Sequence, residues 1–139
     1  MNWALDTAAM PAYLRVDCSG VPTIADFEAM WDEILSRDDW TPGLGVVVDN
    51  RSLEPNSDPD ACTIGAIEYF SRQRTRIGDS CIALVSNASQ NFKYARQFQY
   101  GIRLRGSNAT LQIFNSDTQA AQWVESYCNL RSQHRTAVN

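Results

Sequence analysis

The chain has 139 residues, 44% of them hydrophobic and 20% charged, and a formal net charge of −4. That length and composition fit one globular domain able to bury a core. Sixteen acids against twelve bases, with Lys93 the only lysine, exclude the broad basic footprint of a general nucleic-acid binder.

The opening MNWALDTAAMP has neither the basic nor the long apolar region of a signal peptide, and no aliphatic run could span a bilayer. A cytoplasmic protein that is not transmembrane is therefore expected. Two short strands follow from the first 20 residues, about Trp3–Asp6 and Tyr13–Ser19. In the second, Leu14, Val16 and Cys18 alternate with Tyr13, Arg15 and Asp17, the period of a half-buried strand. Thr23 offers an N-cap hydroxyl, with Asp26 three residues on. Phe27, Met30, Trp31, Ile34 and Leu35 then form one helical face.

After a turn with Pro42 and two glycines, Val46–Asp49 reads as an interior strand covered on both faces. A polar loop, SLEPNSDPD, is expected next. Asp58 as N-cap and Pro59 as first residue open a second helix. Ile64, Ile67, Phe70 and Ser71 are its expected core stripe and Gly78 its stop. Cys81–Ser86 (CIALVS) is another short buried strand. A third helix, about Asn91–Leu104, carries Tyr94, Ala95, Phe98, Gly101 and Ile102 on one side and Arg96, Gln99 and Arg103 on the other. Gly101 should weaken it by about 1 kcal/mol relative to alanine. Ala109–Asn115 forms the last strand, and Ser116 with Gln119 caps a fourth helix whose face is Ala120, Trp123, Val124 and Tyr127.

Residues 1–129 make one domain, and residues 130–139, with the lone His134, read as a flexible tail. Cys18, Cys62, Cys81 and Cys128 lack metal-ligand spacing and read as reduced core thiols. The order ββαβαβαβα describes an α/β domain with a mostly parallel five-stranded sheet, right-handed crossovers and four helices.

Several strings in that order resemble the SpoIIAA-like family, bacterial relatives in fold of the STAS domains. They are Gly-Val-Pro-Thr-Ile-Ala-Asp-Phe-Glu entering the first helix, the strand VVVDNR, CIALVS, the helix start NFKYAR and the ending LQIFNSDTQAAQWV. The resemblance spans about residues 12 to 128 and implies a five-strand, four-helix fold with no known catalytic residue. STAS domains in the strict sense bind a kinase partner and carry a phosphoacceptor serine in an Asp-Ser-Ser-Gly-like motif. The corresponding region here reads Asn56-Ser57-Asp58-Pro59-Asp60, without that motif. A phosphate on Ser57 would meet repulsion from Asp58 and Asp60. The group is also compared with CRAL-TRIO lipid carriers, which implies an apolar ligand or a membrane association.

Two functional readings stand. In the first, a non-enzymatic domain binds a small apolar or amphipathic ligand near the carboxyl ends of its parallel strands, where α/β sheets gather ligands at a topological switch point. Asp49, Asn50 and Arg51 would form the rim, beside Ser86, Asn87 and Ser89. The pocket would lie between the sheet and the second and third helices, sealed by Tyr94, Phe98 and Ile102, and Arg96 and Arg103 would meet lipid phosphates. The bland alternative is that Asp49 caps loop N–H groups and Arg51 pairs with a carboxylate. In the second reading, a regulatory module docks a protein partner through Ser57, Asp58, Arg72 and Arg76. An arginine in the last turn of a helix equally serves its dipole. Walker A, dinucleotide and nucleophile-elbow motifs are absent, so no enzyme, cofactor or metal is expected. The first strand offers an edge for a homodimer.

Overall fold

The computed structural model describes residues 1–87 and 90–138, and side chains at all of these except 90, 91, 129 and 131–138. Five strands form one sheet in sequential order: β1 (Asn2–Asp6), β2 (Leu14–Gly20), β3 (Val46–Leu53), β4 (Cys81–Val85) and β5 (Thr110–Phe114). β1 runs antiparallel to β2, and every later pair is parallel. The helices are α1 (Ile24–Leu35), α2 (Pro59–Arg72), α3 (Arg74–Ile77), α4 (Gln90–Leu104) and α5 (Asp117–Val138). Right-handed crossovers between strands added in sequence place the connecting helices on one face. α5, after the last strand, packs on the other face against β3 and β4.

Strand alternation divides the core accordingly. Leu14, Val16, Val46, Val48, Ile82 and Leu84 face α1, α2 and α4, where Met30, Trp31 and Phe70 meet them. Val47, Ala83 and Val85 face Ala120 and Val124 of α5. Phe70 is fully buried, with ring centroids 4.9 Å from Trp31 and 5.0 Å from Phe98, both edge-on. Its truncation to alanine would cost about 3–5 kcal/mol through the void left behind.

The expected caps are in place. Thr23 Oγ1 accepts from the Asp26 N–H at 3.1 Å, Asp58 Oδ1 from Ala61 at 3.2 Å, and Ser116 Oγ from Gln119 at 3.4 Å.

Four expectations need correction. β3 does not stop at Asp49 but continues through Leu53, its polar residues still pairing with β2. The second helix ends at Arg72 rather than at Gly78. A separate turn of helix follows, and Gly78, at φ +66°, ends that turn. Ile64 is 54% exposed, because α2 turns Ala66, Tyr69 and Phe70 inward instead. The helices among the described residues number five rather than four, because that separate turn, α3, precedes β4.

Gly101 has a packing role. An added Cβ would lie 2.3 Å from Ile67 Cδ1, so the glycine is what lets α4 approach α2.

Candidate functional site

The run Val46–Leu53 enters the site as a strand whose apolar residues alternate between two buried faces, Val46 and Val48 toward one and Val47 toward the other. Asp49, Asn50 and Arg51 inherit that alternation and part company. Asp49 and Arg51 lie on the α5 side, where they join an ion-pair network. Arg15 Nη2 donates to Asp49 Oδ2 at 3.0 Å and to Asp17 Oδ1 at 2.9 Å, and its Nη1 to Asp117 Oδ1 at 3.0 Å. Arg51 donates through Nε to Asp49 Oδ1 at 3.0 Å and through Nη2 to Asp49 Oδ2 at 2.7 Å. The same Nη2 also reaches Asp117 Oδ2. The Arg51 backbone N–H donates to Asp49 Oδ1 at 3.0 Å.

Asp49 is the most buried member of the network, its side chain 14% exposed. Burial pushes its pKa up, but the bonds and charges of Arg51, with Arg15, outweigh that and hold it below the usual carboxylate range. Two arginines are thus matched by three aspartates, and the start of α5 is tied to β2 and β3.

Asn50 faces the opposite side and lines a cavity of about 170 Å³ between the sheet and α1, α2 and α4. The floor is made by Val48, Asn50, Leu53, Ile82, Leu84 and Ser86 from β3, β4 and the residue after β4. The space exists because small side chains sit where the helices approach: Cys18, Cys62, Thr63, Ala66 and Ala95 all line it. Tyr94 and Phe98 from α4 and Phe27, Met30 and Trp31 from α1 close the remaining walls. Glu54 and Pro55, both exposed, mark the side open to solvent.

A register shift puts Leu53 in this cavity. Asp17 pairs with Asp49, but Ser19 pairs with Ser52, so β3 carries one extra residue. Simple alternation would send Leu53 to the same side as Asp49 and Arg51. The extra residue returns it to the side of Asn50.

Two features set the cavity's chemistry. Ser86 is 1% exposed, and its hydroxyl has no hydrogen-bond partner among the described residues. Both lining thiols stay protonated. Burial, with the charges of Asp17 and Asp49, pushes Cys18 up to about 12, and burial with the charge of Asp58 raises Cys62.

The other expected site residues fall as follows. Tyr94 and Phe98 line the cavity, whereas Ile102, 2% exposed, belongs to the solid core. Arg96 lies on the outer surface of α4, its guanidinium 5.5 Å from the centre of the Phe92 ring. Arg103 is exposed near the end of the same helix. Asn87 donates to the Arg51 carbonyl at 3.2 Å, and Ser89 lies outside the described residues, as does the side chain of His134.

Ser57 and Asp58 sit at the start of α2, with Asp58 engaged as its cap. Arg72 is at the far end, about 20 Å away along 14 residues, paired with Glu28 at 3.1 Å. Arg76 follows on α3 and donates to Gln73 at 3.2 Å. These four do not form one patch. The sheet also lacks a topological switch point, since its strands lie in sequence order. The cavity lies between the sheet and α1, α2 and α4, and the sequence reading did not single out Cys18 or Cys62 as lining. Small residues at core positions of the helices were the available signal.

No family model and no curated protein matches the sequence. Among solved structures, the chain is similar to an uncharacterized protein of the DUF3478 family with a SpoIIAA-like fold, from Shewanella loihica PV-4. The two share 14% sequence identity over 88% of this chain and 92% of that one, with a TM-score of 0.60.

Proposed function

We propose that this domain, whose fold is SpoIIAA-like, binds a small apolar or amphipathic ligand without converting it. The observation that carries the reading is the cavity of about 170 Å³, walled mainly by apolar side chains, beneath α1, α2 and α4. Its size is comparable to an engineered apolar cavity of about 150 Å³ that takes up benzene. Protonated thiols in the lining support binding over nucleophilic chemistry. Amide chemical-shift titration with benzene and short alkanols tests this. Saturable shifts at residues around the cavity are expected; their absence for the whole panel overturns the reading.

The outer face of α4 suggests where such a ligand is met. Phe92, Tyr100 and Leu104 are exposed, 38%, 63% and 71% respectively, at intervals of eight and four residues along one face. Lys93, Arg96, Arg103 and Arg105 are exposed beside them, and no acid occurs from residue 80 to 116. An apolar stripe flanked by bases suits an anionic lipid surface, although no helix among the described residues is long and apolar enough to cross a membrane. Vesicle sedimentation should show binding to anionic but not zwitterionic lipid, lost in Arg96→Glu/Arg103→Glu. Equal binding to both vesicle types overturns the surface assignment.

A further inference from the structure

We infer that the cavity selects a neutral ligand bearing one hydrogen-bonding group, such as a phenol or a short alcohol, turned inward onto Ser86, and rejects the carboxylate of a fatty acid. This rests on the binding reading above and specifies its ligand class. Among the described residues the lining contains no lysine, arginine or histidine, and its one charged side chain is Glu54, an acid on the open side. Met1 also contributes to the wall, but its amino group is held by Asp26 at 2.9 Å. An anion would therefore lose its water without gaining a counter-charge, and would pass a carboxylate to enter. Burial of an unpaired charge is far more costly than burial of a hydroxyl that finds a partner.

The partner is available. Ser86 is 1% exposed and its Oγ is unbonded among the described residues, which is uncommon for a buried polar atom. Asn50 and Ser86 each follow by one residue the paired Asp49 and Val85, and both line the cavity. A serine hydroxyl can donate and accept, and an asparagine amide can do both. A ligand hydroxyl or carbonyl seated there satisfies Ser86, while its ring or chain fills the space among Cys18, Ala66 and Ala95. At about 170 Å³, against about 150 Å³ for a cavity that takes up benzene, the space suits one ring or short chain with one hydroxyl.

The test is calorimetric or chemical-shift titration of the full chain with benzene, phenol, 1-hexanol and hexanoate at neutral pH, repeated with Ser86→Ala. Expected results are saturable binding of benzene, phenol and hexanol, with hexanoate at least tenfold weaker than hexanol. Ser86→Ala should leave benzene affinity within about twofold and remove at least fivefold of the phenol affinity. Hexanoate binding as tightly as hexanol overturns the inference, even if the variant does not fold. An unchanged phenol-to-benzene ratio in folded Ser86→Ala overturns it as well, while leaving the cavity reading intact. Failure of all four probes to bind the wild type overturns both.

Discussion

Asp49→Asn separates the two halves of the Asp-Asn-Arg run. Asp49 receives four hydrogen bonds: the Arg51 N–H and Nε on Oδ1, and Nη2 of both Arg51 and Arg15 on Oδ2. Asparagine keeps an oxygen at the Oδ1 position and puts an N–H group against the two Nη2 donors. Two charge-assisted bonds are lost, each worth about 1.5–3 kcal/mol. Arg15 retains Asp17 and Asp117, and Arg51 retains Asp117, with both arginines a quarter to a third exposed. The loss should therefore fall near 2 kcal/mol rather than at the sum. For a domain of this size that lowers Tm by about 8 °C.

Because the folded Asp49 pKa is depressed, its contribution is complete above about pH 4 and fades as pH falls through the folded value. Urea melts from pH 7 down to pH 3 should show the wild type and Asp49→Asn converging in acid. Ligand affinity at pH 7 should stay within about twofold, since Asp49 is on the far side of the sheet from the cavity. Equal stability at pH 7, or a gap that widens in acid, refutes the reasoning.

Ala66→Leu adds three methyl-sized groups to a lining position and occupies about half the cavity. Binding of benzene should weaken at least tenfold by titration, with stability within about 1 kcal/mol of wild type because the added atoms enter open space. Gly101→Ala gains about 1 kcal/mol in helix propensity but drives a Cβ to 2.3 Å from Ile67 Cδ1, which costs about 1–3 kcal/mol. A net loss near 1 kcal/mol in urea melts should turn into a gain when Ile67→Ala is also present. Cys18, with its pKa raised to about 12, should resist iodoacetamide at pH 8 for as long as the protein stays folded. Labelling at the rate of a free thiol, read by mass spectrometry, would contradict that protonation state.

Local regularities made most of the fold legible. The α1 stripe of Met30, Trp31, Ile34 and Leu35 is buried as its spacing predicts, and Thr23, Asp58 and Ser116 cap the helices they precede. What the sequence concealed depends on distant partners. Ile64 fits the stripe of α2 by spacing alone, yet the rotation of that helix is set by Gly101 receiving Ile67 and by Phe70 meeting Trp31 and Phe98. The cavity is harder still to read. It is what small residues from β2, α2 and α4 leave unfilled, and each of them alone is an ordinary core residue. Asp49 and Arg51 drew attention as polar residues at a strand end, but the buried hydroxyl without a partner among the described residues is that of Ser86, at the end of an apolar strand.

The network and the cavity nevertheless share β3, and a second substitution at Asp49 exposes the connection. The extra residue in β3 lies between Asp49 and Ser52, and the bond from the Arg51 N–H to Asp49 Oδ1 spans that irregularity. Local side-chain bonds of this kind hold backbone turned out of a regular ladder. The same irregularity returns Leu53 to the cavity side, next to Asn50 in the lining. Asp49→Asn keeps an acceptor for that N–H, whereas Asp49→Ala removes it. Ligand affinity should therefore survive the first change and fall at least fivefold in the second, even where urea melts show the alanine variant folded at the assay temperature. Equal affinities in the two variants would mean that the β3 register is held by its ladder to β2 alone and that the ion pairs serve only to dock α5.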